Sequence, residues 1–187
     1  NTFFPSYSVS PSYHQKPTLL ISKGKRVLGY CKLTDNKCVM ELFYEESKSL
    51  TYLHGKDIKN VPISLFCGKL PFNQHIGAFV QTTCRENKVK LATYTNKKLY
   101  DFVKEVNTKT KLSIPFSDSD FAKSLNKLIQ HLSLLKDKGM QNTLRDGIKA
   151  VKANQDSFEY FCASHGDLTP WNSFIVQDKF FAFDLEY

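Results

Sequence analysis

The rhythm of apolar residues changes twice along this chain, and that change constrains its fold more than any other feature. Thr2 to Val9, Pro17 to Ser22 and Arg26 to Leu33 are β-branched and aromatic stretches, punctuated by Ser10-Pro11-Ser12-Tyr13-His14-Gln15-Lys16 and by Lys23-Gly24-Lys25. Such runs, broken by Pro, Ser and Gly, predict three strands and two turns. From Asp35 or Asn36, either of which can cap a helix, the spacing becomes helical. Val39, Leu42, Phe43, Ser47, Leu50 and Leu53 fall near one face as far as about His54, with Gly55 placed to end the helix. Ile63 to Gly68 and Ile76 to Thr83 then return to the extended pattern around a turn at Pro71, Asn73 and Gln74. The expectation is an α+β chain that opens with a five-stranded antiparallel sheet carrying one helix.

After Thr83 the character changes again. Cys84-Arg85-Glu86-Asn87-Lys88 is polar, and helical spacing follows from Lys97 to about Val106. A boundary is therefore expected near residue 84, with an N-terminal lobe over 1–84 and a mainly helical one over 85–187. Ser117 or Ser119 can cap a helix in which Phe121, Leu125, Leu128, Ile129, Leu132 and Leu135 repeat at three and four, closed by Gly139. Gln141 or Asn142 starts a shorter one with Leu144, Ile148 and Val151 on a face. Phe158 to Tyr187 alternates short apolar stretches with polar turns.

Composition narrows the class. With 41% apolar and 13% aromatic residues among 187, the chain can bury a substantial core or two small ones. No run of about 18 apolar residues and no leader pattern is visible, so neither a membrane span nor a signal peptide is expected. Five cysteines without a CxxC pair suit reduced thiols and a cytoplasmic location. The net charge of +8 comes from scattered Lys and Arg, which is a solvated basic surface rather than a nucleic-acid footprint.

The chemistry is concentrated in Ser164-His165-Gly166-Asp167-Leu168-Thr169-Pro170-Trp171-Asn172, followed by Phe181-Ala182-Phe183-Asp184-Leu185-Glu186-Tyr187. Phosphoryl transfer needs a carboxylate that orients an attacking hydroxyl and accepts its proton, and oxygen ligands that hold Mg²⁺ against nucleotide phosphates. An Asp five residues before an Asn, in a loop between apolar strands, can supply the base and an amide ligand; Asp184 can supply an anionic one.

These residues resemble the catalytic loop and metal motif of the aminoglycoside phosphotransferase and choline kinase superfamily, relatives of protein kinases. Gly166 stands where protein kinases have the Arg of H-R-D, and Asp184-Leu185-Glu186 where they have D-F-G. Both differences point to the small-molecule branch. The resemblance implies a two-lobed kinase-like fold, ATP and Mg²⁺ as cofactors, and a small-molecule hydroxyl as acceptor. Asp167 would be the catalytic base and His165 a brace for its loop, with Asn172 and Asp184 as Mg²⁺ ligands and Glu186 as a further carboxylate on the metal side.

The same resemblance asks for a Lys on the third strand and a Glu on the helix. Lys32 and Glu46 answer it, with Glu45 and Glu41 as further carboxylates on the helix. Lys32 would hold the α and β phosphates, fixed by Glu46. The segment between the first two strands, Ser8 to Lys16, lacks glycine, so Ser10, Ser12 and Tyr13 are assigned to the phosphates by order along the chain. Adenine would sit near Gln81 to Cys84, at Thr82 and Thr83, met largely by backbone groups. In related kinases the acceptor pocket follows the D-x-E motif. A missing C-terminal segment or a partner is therefore expected to complete it, and the 187-residue chain alone to bind nucleotide weakly. The alternative reading is a pseudokinase or nucleotide-binding scaffold without turnover.

Overall fold

The computed structural model describes residues 2–6, 16–84, 90–91 and 97–185, with side chains described for all of these except 2–6 and 90–91. The chain divides into two compact units, Asn1–Lys109 with Ser164–Tyr187, and Thr110–Ala163. This grouping differs from the expected lobes at 1–84 and 85–187. The C-terminal segment bonds back to the early chain: the Ala182 N–H donates to the Asn60 carbonyl at 3.1 Å.

In the first unit, β1 (Thr2–Ser6), β2 (Thr18–Lys23), β3 (Arg26–Thr34), β4 (Ser64–Leu70) and β5 (Asn73–Thr82) form an antiparallel sheet in the order β1-β2-β3-β5-β4. Helix α1 (Lys37–Gly55) crosses it. Asn36 caps α1, its side-chain oxygen accepting the N–H groups of Cys38 at 2.8 Å and Val39 at 3.4 Å. Val39, Met40, Phe43, Leu50 and Leu53 form the buried stripe, and Phe43 meets Phe79 of β5 at 5.8 Å between ring centroids. Gly77 lets the helix lie close, since a Cβ there would fall 2.3 Å from the Met40 sulfur.

The end of α1 corrects the expectation for Gly55, which lies inside the last turn. Asp57 takes the left-handed position, at φ +58°. Its N–H donates to the His54 carbonyl at 2.9 Å, and the N–H of Ile58 to the Leu53 carbonyl at 3.0 Å. That is the Schellman pattern, with Ile58 and Leu53 both buried beneath it.

A second sheet of the same unit joins β6 (Lys90–Leu91), β7 (Ser173–Val176) and β8 (Lys179–Ala182). Gln177 and Asp178 link β7 to β8 with φ of +47° and +61°, the signs of a type I′ hairpin turn. Helix α2 (Lys97–Thr110) places Phe102 5.1 Å from Phe180 of β8.

The second unit is helical. Ser119, rather than Ser117, caps α3 (Asp120–His131) by accepting the Ala122 N–H at 3.1 Å. A 3₁₀ turn at Leu132–Leu134 continues it. Gly139 does not close this helix: Asp137 accepts the Met140 N–H at 3.1 Å and starts α4 (Lys138–Ala153), which puts Gly139 in its first turn. Leu125, Leu132 and Ile148 form the small core, with Phe116, Ile129, Leu135, Leu144 and Val151 against it. Among the described residues no helix is long and apolar enough to cross a membrane.

Candidate functional site

Three charged residues distant in sequence meet inside the first unit. Alternation along β3 turns Lys32 inward beside its register partner Phe79, whose ring centroid lies 5.6 Å from the ammonium. Glu46 occupies the buried stripe of α1, three residues after Phe43 and four before Leu50, and is wholly inaccessible. Lys32 Nζ donates to Glu46 Oε2 at 2.7 Å and to Asp184 Oδ1 at 2.8 Å. A hydroxyl contact of 2.8 Å between Ser47 and Ser64 holds α1 against β4 one residue further on.

Electrostatics follow from this packing. Burial works against the Lys32 ammonium, but Glu46 and Asp184 outweigh it and hold Lys32 above its ordinary value. Burial also pushes Glu46 up, against the pull of Lys32. These directions compete for one proton; short contacts from Nζ to two separate carboxylates favour the ammonium form. Burial pushes Asp184 up too, yet Lys32 and then Lys16 outweigh it and hold its carboxyl low.

Asp184 follows β8 in the left-handed region, at φ +66°. Main-chain bonding fixes it there, since the N–H of Phe183 donates to the Asn172 carbonyl at 3.0 Å. His165 is bonded to the same residue, its Nε2 2.9 Å from the Phe183 carbonyl. A carbonyl only accepts, so Nε2 carries the hydrogen, and burial holds the ring below its ordinary value and neutral at pH 7. His165 thus ties the loop that carries Asp167 to the segment that carries Asp184.

The loop turns through Gly166, at φ +79°, and enters a 3₁₀ turn at Pro170–Asn172. Asn172 Nδ2 donates to the Asp167 carboxylate Oδ2 at 2.9 Å and to the Asp167 carbonyl at 3.1 Å. With its amide nitrogen directed at Asp167, the amide oxygen of Asn172 is the atom suited to a cation. Among the described residues no group of three or more His, Cys, Asp or Glu gathers as a metal site. Mg²⁺ beside a phosphate ligand needs fewer, because one or two carboxylates plus phosphate oxygens and water complete its shell. The hard oxygen donors of Asp184 and Asn172 fit that requirement.

Beside Asp184 lies a cavity of about 290 Å³, lined by Lys16, Tyr30, Lys32, Gln81, Phe183 and Asp184 among others. Gly29 helps shape the sheet here: a Cβ on it would fall 2.1 Å from the Gln81 carbonyl oxygen, so the β3–β5 approach admits no side chain. Thr82 and Thr83 also line the cavity, but their N–H groups are already taken by the Ile63 and Leu28 carbonyls, at 3.0 and 3.2 Å. The Thr82 hydroxyl accepts the Ile63 N–H at 2.8 Å. Backbone contact with a base over Gln81 to Cys84 would therefore use groups other than these two N–H donors. Ser10, Ser12, Tyr13 and Glu186 lie outside the described residues.

Gln81, the first residue of the stretch expected near adenine, lines the cavity, whereas Lys16 and Tyr30 were not singled out as cavity residues. Tyr30 is signalled by alternation with Lys32, whereas Gln81 follows from the register that pairs it with Tyr30. Gln81 is buried, and among the described residues its Oε1 has no hydrogen-bond partner.

No family model matches the chain, and no curated protein matches it in sequence. Among solved structures, its fold is similar to that of a provisionally named fructosamine-3-kinase from Haemophilus somnus 129PT, with a TM-score of 0.54 and 15% identity over 97% of this chain. The chain spans 66% of that protein's length. At this identity the likeness shows the fold alone: α+β, with an antiparallel sheet and helices, similar to a kinase-like neighbour.

Proposed function

We propose that the chain is an ATP-dependent phosphotransferase that moves the γ-phosphate to a hydroxyl of a small molecule. The observation that carries this reading is the buried Lys32, bonded to Glu46 at 2.7 Å and to Asp184 at 2.8 Å on the wall of a cavity. An ammonium fixed in this way presents charge without the freedom of a surface lysine, which is what positioning a polyphosphate requires.

Each residue has a task that its geometry supports. Lys32 holds phosphate oxygens while Glu46 fixes its side chain. Asp184 and the amide oxygen of Asn172 would hold Mg²⁺, which neutralises charge on the phosphates. Asp167, steered by the Asn172 amide, takes the proton of the acceptor hydroxyl as that oxygen bonds to phosphorus and the bond to the leaving diphosphate breaks. His165 keeps the segment before Asp184 in place. The acceptor belongs to the aminoglycoside, choline or sugar class, and the name of the structural neighbour puts fructosamines first in a trial panel.

The test is formation of ADP from ATP and Mg²⁺ with such a panel, comparing the chain with Asp167→Asn. Acceptor-dependent ADP formation that falls roughly 10²- to 10⁴-fold in the variant is the expected result. Nucleotide binding with no turnover for any acceptor would favour either a scaffold or an acceptor site that a further segment or partner completes, and equal turnover by Asp167→Asn would remove Asp167 from the reaction.

A further inference from the structure

Lys16 lines the cavity and has no part in the mechanism above. It stands two residues before Thr18, whose register partner in the sheet is Lys32. The Leu33 N–H donates to the Pro17 carbonyl at 2.8 Å, so this end of β2 is tied to β3 beside Lys32. Lys16 Nζ lies 3.8 Å from Asp184 Oδ1, the oxygen that also takes Lys32 at 2.8 Å. Two ammonium groups thus converge on one carboxylate oxygen, and the Lys16 side chain is only 23% exposed. A lysine so enclosed needs an anion beside it, and here Asp184 is a carboxylate it shares with Lys32.

We propose that Lys16 is a second phosphate-binding cation, which engages a nucleoside di- or triphosphate together with Lys32. The inference rests on the phosphotransferase reading and adds a residue and a ligand group to it. Glu46 already serves Lys32 from the buried side. When Asp184 turns to a divalent cation, the β and γ phosphates become the anions within reach of Lys16. The sequence supports the same role, because residues 7–15 contain no glycine. Backbone amides approach phosphate most closely where glycine permits it, whereas a lysine reaches phosphate with a flexible stem and three donors.

Calorimetric titration of the 187-residue chain with ATP, ADP, AMP and adenosine, in the presence of Mg²⁺, tests this. Lys16→Met is expected to weaken ADP and ATP binding by about 10- to 100-fold, the worth of a charge-assisted hydrogen bond, with adenosine within about 2-fold of the natural chain. Lys16→Arg should restore most of the loss. Thermal melting checks that the variants fold, and Lys16→Gln replaces Lys16→Met if the latter does not. Unchanged ADP affinity, or an equal loss for adenosine, overturns the assignment. A natural chain that binds none of the four brings down the nucleotide reading and Lys16 with it, a failure that shows without any substitution.

Discussion

Glu45 and Glu46 are neighbours on α1, and each bonds a lysine at almost the same distance, 2.6 Å to Lys48 and 2.7 Å to Lys32. The surroundings are opposite. The Lys48 and Glu45 side chains are 69% and 63% exposed, and those of Lys32 and Glu46 are 7% and 0%. An exposed pair gains little, because water and salt screen it and two long side chains lose freedom. A buried pair loses its hydration, and an apolar pair of similar volume often serves stability as well or better. Bond length therefore says nothing about purpose here; burial does. A Lys-Glu pair kept on an apolar helix face, with a second carboxylate on the same ammonium, is explained better by chemistry than by stability.

The comparison breaks most visibly at Glu46. Glu46→Ala leaves Lys32 buried without its inner partner, and denaturant unfolding should show a loss of about 3–5 kcal/mol. The double replacement Lys32→Met with Glu46→Leu should recover most of that loss while nucleotide binding disappears. A double variant as unstable as Glu46→Ala would mean that the pair is kept for the fold.

Burial also sets the pH response, at His165. Its ring is held below the ordinary value of 6.5, so protonation favours the unfolded chain. The stability it confers is complete above pH 6.5 and is lost as pH falls through the lower, folded value. Melting temperatures measured from pH 7 down to pH 5 should fall. His165→Gln, which keeps a donor for the Phe183 carbonyl, should flatten that fall. The difference in slope should stay below about 1.4 kcal/mol per pH unit, reduced by the solvent that reaches the half-buried ring. Identical slopes would remove His165 as its source.

The smallest effect is expected on the outer face of α1. Glu45→Ala should change unfolding free energy by no more than about 1 kcal/mol, and less at high salt. A loss comparable to that of Glu46→Ala would erase the distinction between the faces.

Part of this arrangement is legible in the amino-acid sequence. Helical spacing puts Glu46 between Phe43 and Leu50, strand alternation puts Lys32 on one face of β3, and the interval from Asp167 to Asn172 marks a loop that can supply a base and an amide ligand. What is not legible depends on register and on competing caps. Lys16 and Tyr30 reach the cavity because β2, β3 and β5 pair where they do, and a single chain does not print its pairing. Gly55 and Gly139 mislead because glycine is the usual helix terminator. Here the left-handed position falls to Asp57, and the Asp137 cap draws Gly139 into the next helix. Apolar strands around the loop are expected, but their pairing into a second sheet is not legible, because β7 and β8 have only four residues each.

The central claim is that Lys32, Glu46 and Asp184 together form a metal-assisted nucleotide site, and it is tested most directly by thermal shift with ATP, with and without Mg²⁺, comparing the natural chain with Asp184→Asn. The account predicts stabilisation that grows with nucleotide concentration, depends on Mg²⁺ and is lost in the variant. Stabilisation by ATP that is indifferent to metal and unchanged in Asp184→Asn would contradict it.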